Sequence, residues 1–515
     1  MKMNFLQHNK YYQYVLMVSL YVAVAIFLCA PLKAQDEVIK TGWFPFEPYM
    51  YVKETQGFSQ LTGLDIKMIE ALSQHLGVKP DFSVVQWKQF LSDIKSGQRL
   101  IAPFATKTKE RSEWAYFSIP YRFEENALFV KYGSSLEFKN VQSFVDMAKK
   151  TGFRLGIMDG FVYASDAIND FINDPQYQHQ IMRAKFENDN LNNLLKDKID
   201  GFLTDRLVGA TLIWRSGHSK DVEERYLGVS TPIHFLISKK LGSPEFLEKV
   251  NKAIQEMKAS GEHRKIMREY ILPVLLMQTI DRPWFLWIEV LAIIAFVIAG
   301  MMIADKENFS VLATFGLAIV PSFGGGLIRD IIVGRTPVGI LVTPRYVYIV
   351  IIAFLTVLFF INVYDFLRHK MKLFVIDKYV PSKAEITRLI QLLDAMGTSA
   401  FTVIGVLVAV LGKADPLWIW GPLFAVMTGV GGSTMRNALA GYRALGNELT
   451  YAEIPLLCGL GLSLYLDNQV EHVDPTQILL VVLLTIFIGF LMHVFVYHWN
   501  IPSIKIHLFK KIPPS

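Results

Sequence analysis

The sequence predicts two unlike halves: a soluble α/β domain, then an all-α membrane domain of seven helices with an inverted repeat of three helices. Three observations carry this. The chain of 515 residues is 52% hydrophobic with a mean hydropathy of +0.31, too long for one domain and too apolar for an ordinary soluble protein. The average conceals a division: residues 36–272 carry mixed charges in a globular pattern, whereas Trp284 to Trp499 is mostly apolar runs between short polar loops. Inside those runs the stretch Gly324-Gly325-Gly326-Leu327-Ile328-Arg329-Asp330 returns as Gly431-Gly432-Ser433-Thr434-Met435-Arg436-Asn437. Glycine weakens a helix, and an Arg or Asp in hydrocarbon is costly unless it faces protein or water.

At the start, Lys2 and Lys10 precede an apolar run from Tyr14 to Ala30, followed by Pro31-Leu32-Lys33-Ala34-Gln35. This is the layout of a secretory signal, so residues 1–35 are expected to be a signal peptide cut after Ala34, or else an uncleaved signal anchor. Leu28 before Cys29 argues against lipoprotein processing. Either way the following domain, 36–272, is exported. The net charge of +6 is not gathered in this domain with interleaved aromatics, so nucleic acid is not an expected partner. With only Cys29 and Cys458, no structural disulfide or cysteine metal site can be drawn, and no cofactor is expected.

Strands and helices alternate in the exported part. Val38–Trp43 reads as a strand, Ile66–Leu76 as a helix capped by Asp65, Asp81–Val85 as a strand, Phe90–Lys95 as a helix ending at Gly97, and Leu100–Phe104 as a strand. Such alternation implies a parallel α/β core with ligand-binding loops beyond the strand ends. The stretches Gly42-Trp43-Phe44-Pro45-Phe46, Leu61-Thr62-Gly63-Leu64-Asp65-Ile66, Thr106-Lys107-Thr108-Lys109-Glu110-Arg111 and Phe117-Ser118-Ile119-Pro120-Tyr121, with Lys198-Ile199-Asp200-Gly201-Phe202-Leu203-Thr204-Asp205 later, resemble the family 3 extracellular solute-binding proteins. The resemblance spans about Glu37 to Leu272 and implies a two-lobed periplasmic-binding-protein fold that takes an amino acid or related carboxylate. An arginine fork can grip a carboxylate bidentately, and an ammonium needs an acid. By the resemblance Arg111 would take the ligand carboxylate with help from Thr106, Asp205 the ammonium, and Trp43 or Phe46 the side chain. The residues alone leave Arg111 open to pairing with Glu110 or Glu113, and Trp43 and Phe46 open to a core role. Phe104 departs from the family's small residue at the pocket edge, as do Lys67 and Arg99 from its acids, which bears on ligand size. Ser243–Tyr270 reads as a closing amphipathic helix, and 273–286 as a short linker that sets the receptor close to the bilayer.

A bilayer-spanning helix needs about 20 apolar residues. Seven segments qualify in the membrane domain, 287–499: Trp287–Ala304, Val311–Val333, Tyr346–Phe366, Ile390–Leu411, Leu417–Leu439, Ala452–Leu466 and Ile478–Tyr497. An exported receptor puts the loop 364–388 inside, and that loop carries Arg368, Lys370, Lys372, Lys378, Lys383 and Arg388. The basic tail, 500–515, also falls inside, whereas Asp467–Gln477 outside holds no Lys or Arg, a positive-inside pattern. Two halves repeat within the domain: Glu289, Ala295-Phe296 and Gly300 are matched at identical spacing by Asp394, Ala400-Phe401 and Gly405. Likewise Gly324, Gly325, Arg329 and Gly334 are matched by Gly431, Gly432, Arg436 and Gly441. Three helices per copy turn the second upside down, and inverted repeats with glycine-interrupted helices point to a midplane transport site. The run Gly324 to Pro337, with Leu392-Leu393-Asp394-Ala395-Met396-Gly397, resembles the bacterial glycine-transporter family, related in fold to the trimeric intracellular cation channels.

The expected function is membrane transport of a small amino acid such as glycine, or a related solute, captured by the fused receptor. The alternative is a ligand-gated cation channel. The pathway would run along backbone exposed by Gly324, Gly325, Gly326, Gly431 and Gly432 in broken helices, with Arg329, Asp330, Asp394, Arg436 and Asn437 beside it. Asn437 breaks the match to Asp330, so Asp330→Asn should cost more activity than a change at Asn437. Histidines and acids show no metal spacing and no nucleophile motif stands out, so an enzyme is not expected. The implied setting is a bacterial inner membrane with an extracytoplasmic receptor and a cytoplasmic C-terminus. Homo-oligomerisation is compatible with the sequence.

Overall fold

The computed structural model describes residues 38–55, 58–280, 283–335, 337–342, 344–370, 382–441, 451–468 and 475–503. The signal segment, most of the basic loop, the loop after Asn468 and the basic tail from 504 lie outside these residues.

Two lobes form the receptor. The first holds β1 (Val38–Trp43), β2 (Tyr51–Thr55), β3 (Phe58–Thr62), α1 (Leu64–Leu76), β4 (Lys79–Val84), α2 (Trp87–Ser96), β5 (Ile101–Thr106), α3 (Lys109–Trp114) and β6 (Ala115–Phe117). The second follows with β7 (Arg122–Lys131), α4 (Val141–Thr151), β8 (Leu155–Met158), α5 (Asp166–Asn173), β9 (Ile181–Ala184), α6 (Glu187–Leu195), β10 (Gly201–Asp205) and α7 (Arg206–Arg215). Local chemistry explains the boundaries: Asn140 and Ser143 form a reciprocal capping box on α4, and α2 stops where Gly97 takes a φ of 81° that a Cβ would strain.

The expected all-parallel core is only partly present. β1 pairs parallel with β4, and β8 parallel with β9 and β10. The main sheet is mixed, in the order β5-β11-β7-β10-β8-β9 with β6 also on β11. The reason is the long strand β11 (Val222–Ser238), which pairs antiparallel with β7 and then with β5 and β6. One strand therefore serves both lobes, and β7 and β11 run side by side through the hinge.

The expected single closing helix is two, α8 (Pro244–Ser260) and α9 (Glu262–Ile280), separated by Gly261 at φ 83°. Much of the expected short linker, 273–286, is helical. α9 continues through Ile280 and the next helix starts at Pro283. Leu272, Leu275 and Leu276 share an apolar cluster with Phe285, Val406, Val410 and Leu466 of the membrane half.

The membrane half comprises α10 (Pro283–Lys306), α11 (Val311–Ile332), the short α12 (Gly339–Val342), α13 (Arg345–Lys370), α14 (Lys383–Leu411), α15 (Leu417–Gly429), α16 (Gly431–Leu439), α17 (Glu453–Asn468) and α18 (Pro475–His498). Among the described residues five helices are long and apolar enough to cross a bilayer: Trp284–Lys306, Val311–Ile332, Arg345–Val363, Ala384–Leu411 and Gln477–His498. The other two expected segments are helical but short: Leu417–Leu439 is divided at Val430, and α17 has 16 residues.

Candidate functional site

The receptor cleft is built at the hinge. Along β7 the polar residues Arg122, Glu124 and Asn126 alternate with Phe123 and Glu125, so all three fall on one face and are buried. Arg122 makes a fully buried ion pair with Asp65, Nε to Oδ1 at 3.0 Å and Nη2 to Oδ2 at 2.9 Å. Tyr121 donates to the same Asp65 at 2.7 Å. Asp65 is thus no helix cap: α1 starts at Leu64, and the carboxylate serves the hinge instead. The Arg122 guanidinium lies 3.8 Å from the Tyr49 ring centroid.

Asp205 ends β10 opposite Asn126. Its Oδ1 accepts from the Leu207 and Val208 amides at 2.9 and 3.0 Å, capping α7, and Tyr49 of the first lobe donates to it across the cleft at 3.1 Å. Burial pushes the carboxyls of Asp205 and Glu124 upward, and the Asp205 charge raises Glu124 further. Burial likewise pushes Glu187 up to about 8, although Thr204 donates to its Oε1 at 2.6 Å.

Arg111 sits at the opposite rim, buried, and burial lowers its guanidinium to about 10. It donates to the Thr106 carbonyl at 3.0 Å and to the Gly160 carbonyl of the second lobe at 3.3 Å, while stacking 5.7 Å from Trp87. Neither Glu110 nor Glu113 is its hydrogen-bond partner. Arg111 and Asp205 thus both carry bonds from one lobe to the other.

Rings fill the space between them. Phe46 and Phe104 lie 4.5 Å apart, and both meet Phe161 of the second lobe, at 5.7 and 5.6 Å. Phe104 holds a φ of 66°, a left-handed conformation that costs a non-glycine residue about 1–2 kcal/mol. Its amide donates to the Tyr121 hydroxyl at 3.1 Å. Trp43 stands half-buried against the first lobe's core. The departing residues are also placed: Arg99 ties Asp93, Ser83 and the Thr41 carbonyl together, and Lys67 pairs with Glu70. Tyr49, Arg122 and Glu124 were missed from sequence. For Arg122 and Glu124 the period-two run of polar groups entering an apolar strand was the signal.

In the membrane half α11 runs unbroken through Gly324–Gly326, against the expectation of a glycine-broken helix. The glycines instead let two backbones touch. A Cβ on Gly325 would stand 2.4 Å from the Met427 carbonyl oxygen, and one on Gly432 would stand 2.4 Å from that of Pro321. A Cβ on Gly431 would meet the Gly325 Cα at 3.2 Å, and Gly324 faces Gly432 and Met435. Only the second copy has a break, at Val430.

Charged groups flank this crossing. Arg329 binds Asp330 at 3.0 and 2.7 Å, and Asp330 accepts from the Gly339 amide at 2.8 Å. Arg436 instead makes a bidentate pair with Asp394 at 2.7 and 2.6 Å and also binds the Asn437 side chain. This second pair is sealed, with Arg436 0% exposed. Beside the first copy lies a cavity of about 320 Å³ lined by Glu289, Gly326, Arg329, Asp330, Tyr346 and Thr428, among others. Glu289, known from sequence only as the mate of Asp394 in the repeat, accepts here from Tyr346 at 2.5 Å.

A second cavity, about 540 Å³, lies between receptor and membrane half, lined by Glu47, Tyr51, Trp214, Glu223, Glu269 and Lys413, among others. The two cavities share Arg335, Val408 and Leu411 in their walls. Ion pairs hold the receptor here: Lys265 and Arg268 on Asp415, Arg268 on Asp467, and Lys413 on Glu269 at 2.8 Å.

This architecture is a two-lobed binding domain set directly on a helical membrane domain. The family model of bacterial extracellular solute-binding proteins, family 3, matches residues 39–273, and that of the glycine transporters matches 286–362 and 391–466. The probable amino-acid-binding protein YxeM of Bacillus subtilis is 22% identical over 46% of this chain and 85% of its own length. The UPF0126 membrane protein YvgT of the same organism is 32% identical over 31% of this chain and 68% of its own. The L-cystine-binding protein TcyA, also of Bacillus subtilis, is 23% identical over 44% and 77%. The chain belongs to the glycine transporter family through its membrane half and carries a family 3 solute-binding domain ahead of it.

Proposed function

We propose that this protein is an inner-membrane transporter of a small amino acid or similar solute, in which the exported receptor, 36–272, feeds the membrane domain, 287–499. The observation that carries the reading is the pair of cavities sharing Arg335, Val408 and Leu411, since together they lead from the receptor's underside to Arg329 and Asp330. The receptor's contacts support the orientation. Asp415 and Asp467, which it grips, stand at the helix ends that the positive-inside pattern puts outside.

An inverted repeat of three helices is part of this reading. Gly300 packs on Leu317 and Ala318, and its mate Gly405 on Phe424 and Ala425, which occupy the matching positions. Gly325 against Thr428 is mirrored by Gly432 against Pro321, and both Gly334 and Gly441 have positive φ. The family model's two segments are also of nearly equal length. On this scheme α15 with α16 forms one broken crossing and α17 another, giving seven. Gly324, Gly325, Gly431 and Gly432 act as the bearing between copies, Gly326, Arg329 and Asp330 line the outer chamber, and Asp394, Arg436 and Asn437 bolt the inner end.

Arg111, Thr106, Asp205, Phe46 and Phe104 are the proposed capture residues. The closed cleft uses Arg111 and Asp205 as lobe-to-lobe ties, so a ligand would displace the Gly160 and Tyr49 contacts and the rings between them. Counterflow of labelled glycine, alanine and serine in proteoliposomes of the full chain tests the reading. Arg111→Ala should lower flux at limiting solute, and Gly325→Leu, which cannot fit against the Met427 carbonyl, should abolish it. Normal flux in both variants would sink the proposal. The rigid packing of α9 on the membrane helices also suits gating of a pore; ligand-evoked conductance without solute flux would establish that alternative.

A further inference from the structure

We propose that Glu289 and Arg329 form the intramembrane binding site for a small zwitterion, Glu289 taking its ammonium and Arg329 its carboxylate; this rests on the transport reading and names its site. The argument starts from the matched pair. Asp394 and Arg436 hold the positions in the second copy that Glu289 and Arg329 hold in the first, and their helices pack through the same glycine contacts. In the second copy the acid and the arginine grip each other at 2.6 and 2.7 Å and are buried.

In the first copy the same two residue types are present, but the bond between them is not made. Arg329 turns to Asp330, and its Nη1 reaches the Thr428 hydroxyl at 3.4 Å. Glu289 is held by Tyr346 instead. Both line the 320 Å³ cavity, whose remaining wall includes the apolar Ile293 and Phe401. The first copy is therefore the second copy's ion pair drawn apart, with space left between its halves.

That space has a definite chemistry. Held apart, Glu289 keeps the Tyr346 hydrogen bond and Arg329 the Asp330 carboxylate, so neither gains from the other what Asp394 and Arg436 gain by pairing. An α-amino acid carries the complement of both, an ammonium for the acid and a carboxylate for the guanidinium fork. At about 320 Å³ the cavity stands at the small end of ligand sites and has room for a free amino acid. A zwitterion engages both walls at once, whereas an anion or a cation alone engages one, and Asp330 already supplies Arg329 with a counter-charge. The match also supplies an exit: re-forming the Glu289–Arg329 bond, as its counterpart is formed now, would expel the solute.

The test uses the full chain in proteoliposomes with Cys29→Ser, Cys458→Ser and a reporter thiol, Ser322→Cys, on the cavity wall. A methanethiosulfonate reagent labels the thiol with and without glycine. Glycine at ten times its half-saturating concentration should slow labelling about tenfold, while acetate or methylammonium at that concentration should protect far less. Glu289→Gln, isosteric and uncharged, should remove the protection by glycine, and Arg329→Lys should retain part of it. Val338→Cys, on the same cavity, is the second reporter should Ser322→Cys fail to fold. Protection that persists in Glu289→Gln, or that acetate gives as well as glycine, overturns the site. Glycine counterflow without protection also overturns the site and leaves the transport reading standing, whereas protection without counterflow supports the site and overturns transport.

Discussion

Replacing Asp394 with Asn would leave the Arg436 guanidinium, 0% exposed, with two neutral acceptors and no counter-charge. Breaking a buried ion pair by removing one partner costs about 3–5 kcal/mol, because the remaining charge stays desolvated. If the pair is the bolt on the inner end, that energy comes out of the sealed state. Every 1.4 kcal/mol is a factor of ten, so the sealed-to-open ratio should fall by roughly a hundred- to a few thousand-fold. Ser433, buried one turn before Arg436, is a suitable reporter. In inside-out vesicles Ser433→Cys should react slowly with an impermeant thiol reagent, and Asp394→Asn should speed that reaction by about the same factor. The double variant Asp394→Leu/Arg436→Met should restore slow labelling, since apolar replacement of a buried pair is often neutral. Unchanged labelling in folded Asp394→Asn would refute the reasoning, as would a double variant as open as the single one.

Other outcomes follow from the receptor and its seat. Glu187 is raised in the folded state to about 8 from an ordinary 4.5, so its contribution to stability is full below about 4.5 and is lost as pH rises through 8. Hydrogen exchange of the β8–β10 amides should quicken over that window at up to about 1.4 kcal/mol per pH unit, and Glu187→Gln should flatten the trend; an unchanged trend would place the cause elsewhere. Phe104→Gly relieves the φ of 66° and removes a ring from the cleft, so calorimetry should show affinity gained for amino acids larger than glycine; equal affinities would mean that Phe104 does not set ligand size. Arg268→Ala removes the ties to Asp415 and Asp467. Flux should drop while receptor binding is retained, and unaltered flux would argue against a hand-off at this interface.

Local chemistry made the receptor's elements legible. Val38–Trp43 is the strand its pattern predicts, and Gly97 ends its helix as expected. Long-range contacts were not legible, for a physical reason. Asp65 looks like a helix cap in sequence because its partners, Tyr121 and Arg122, come more than 50 residues later. Arg111 and Asp205 could be placed at the cleft, but that each would bond across it to Gly160 and Tyr49 depends on lobe closure, which no single segment encodes. That 273–280 would continue as a helix packed near Phe285 and Val406 was not legible, because nothing in that short segment encodes its distant contacts. The glycines read as helix breakers because propensity favours that. Contact between α11 and α15–α16 overrides it, returning through packing what the helix loses in propensity.

Glu289 shows the same limit from the other side. Its nearness to the outer end of its helix allows a merely interfacial reading, and its chemistry became visible only where Arg329 and Tyr346 line a cavity with it. The repeat could have flagged it earlier, since the matched Asp394 was retained as a candidate.

The central claim is that solute passes from the receptor through the membrane domain. Its most direct test is counterflow of labelled glycine in proteoliposomes of the full chain, with a voltage clamp on the same preparation in planar bilayers. The account predicts exchange that saturates with glycine, that Gly325→Leu abolishes, and that carries no ligand-evoked pore current. A glycine-evoked conductance with no glycine exchange would contradict it.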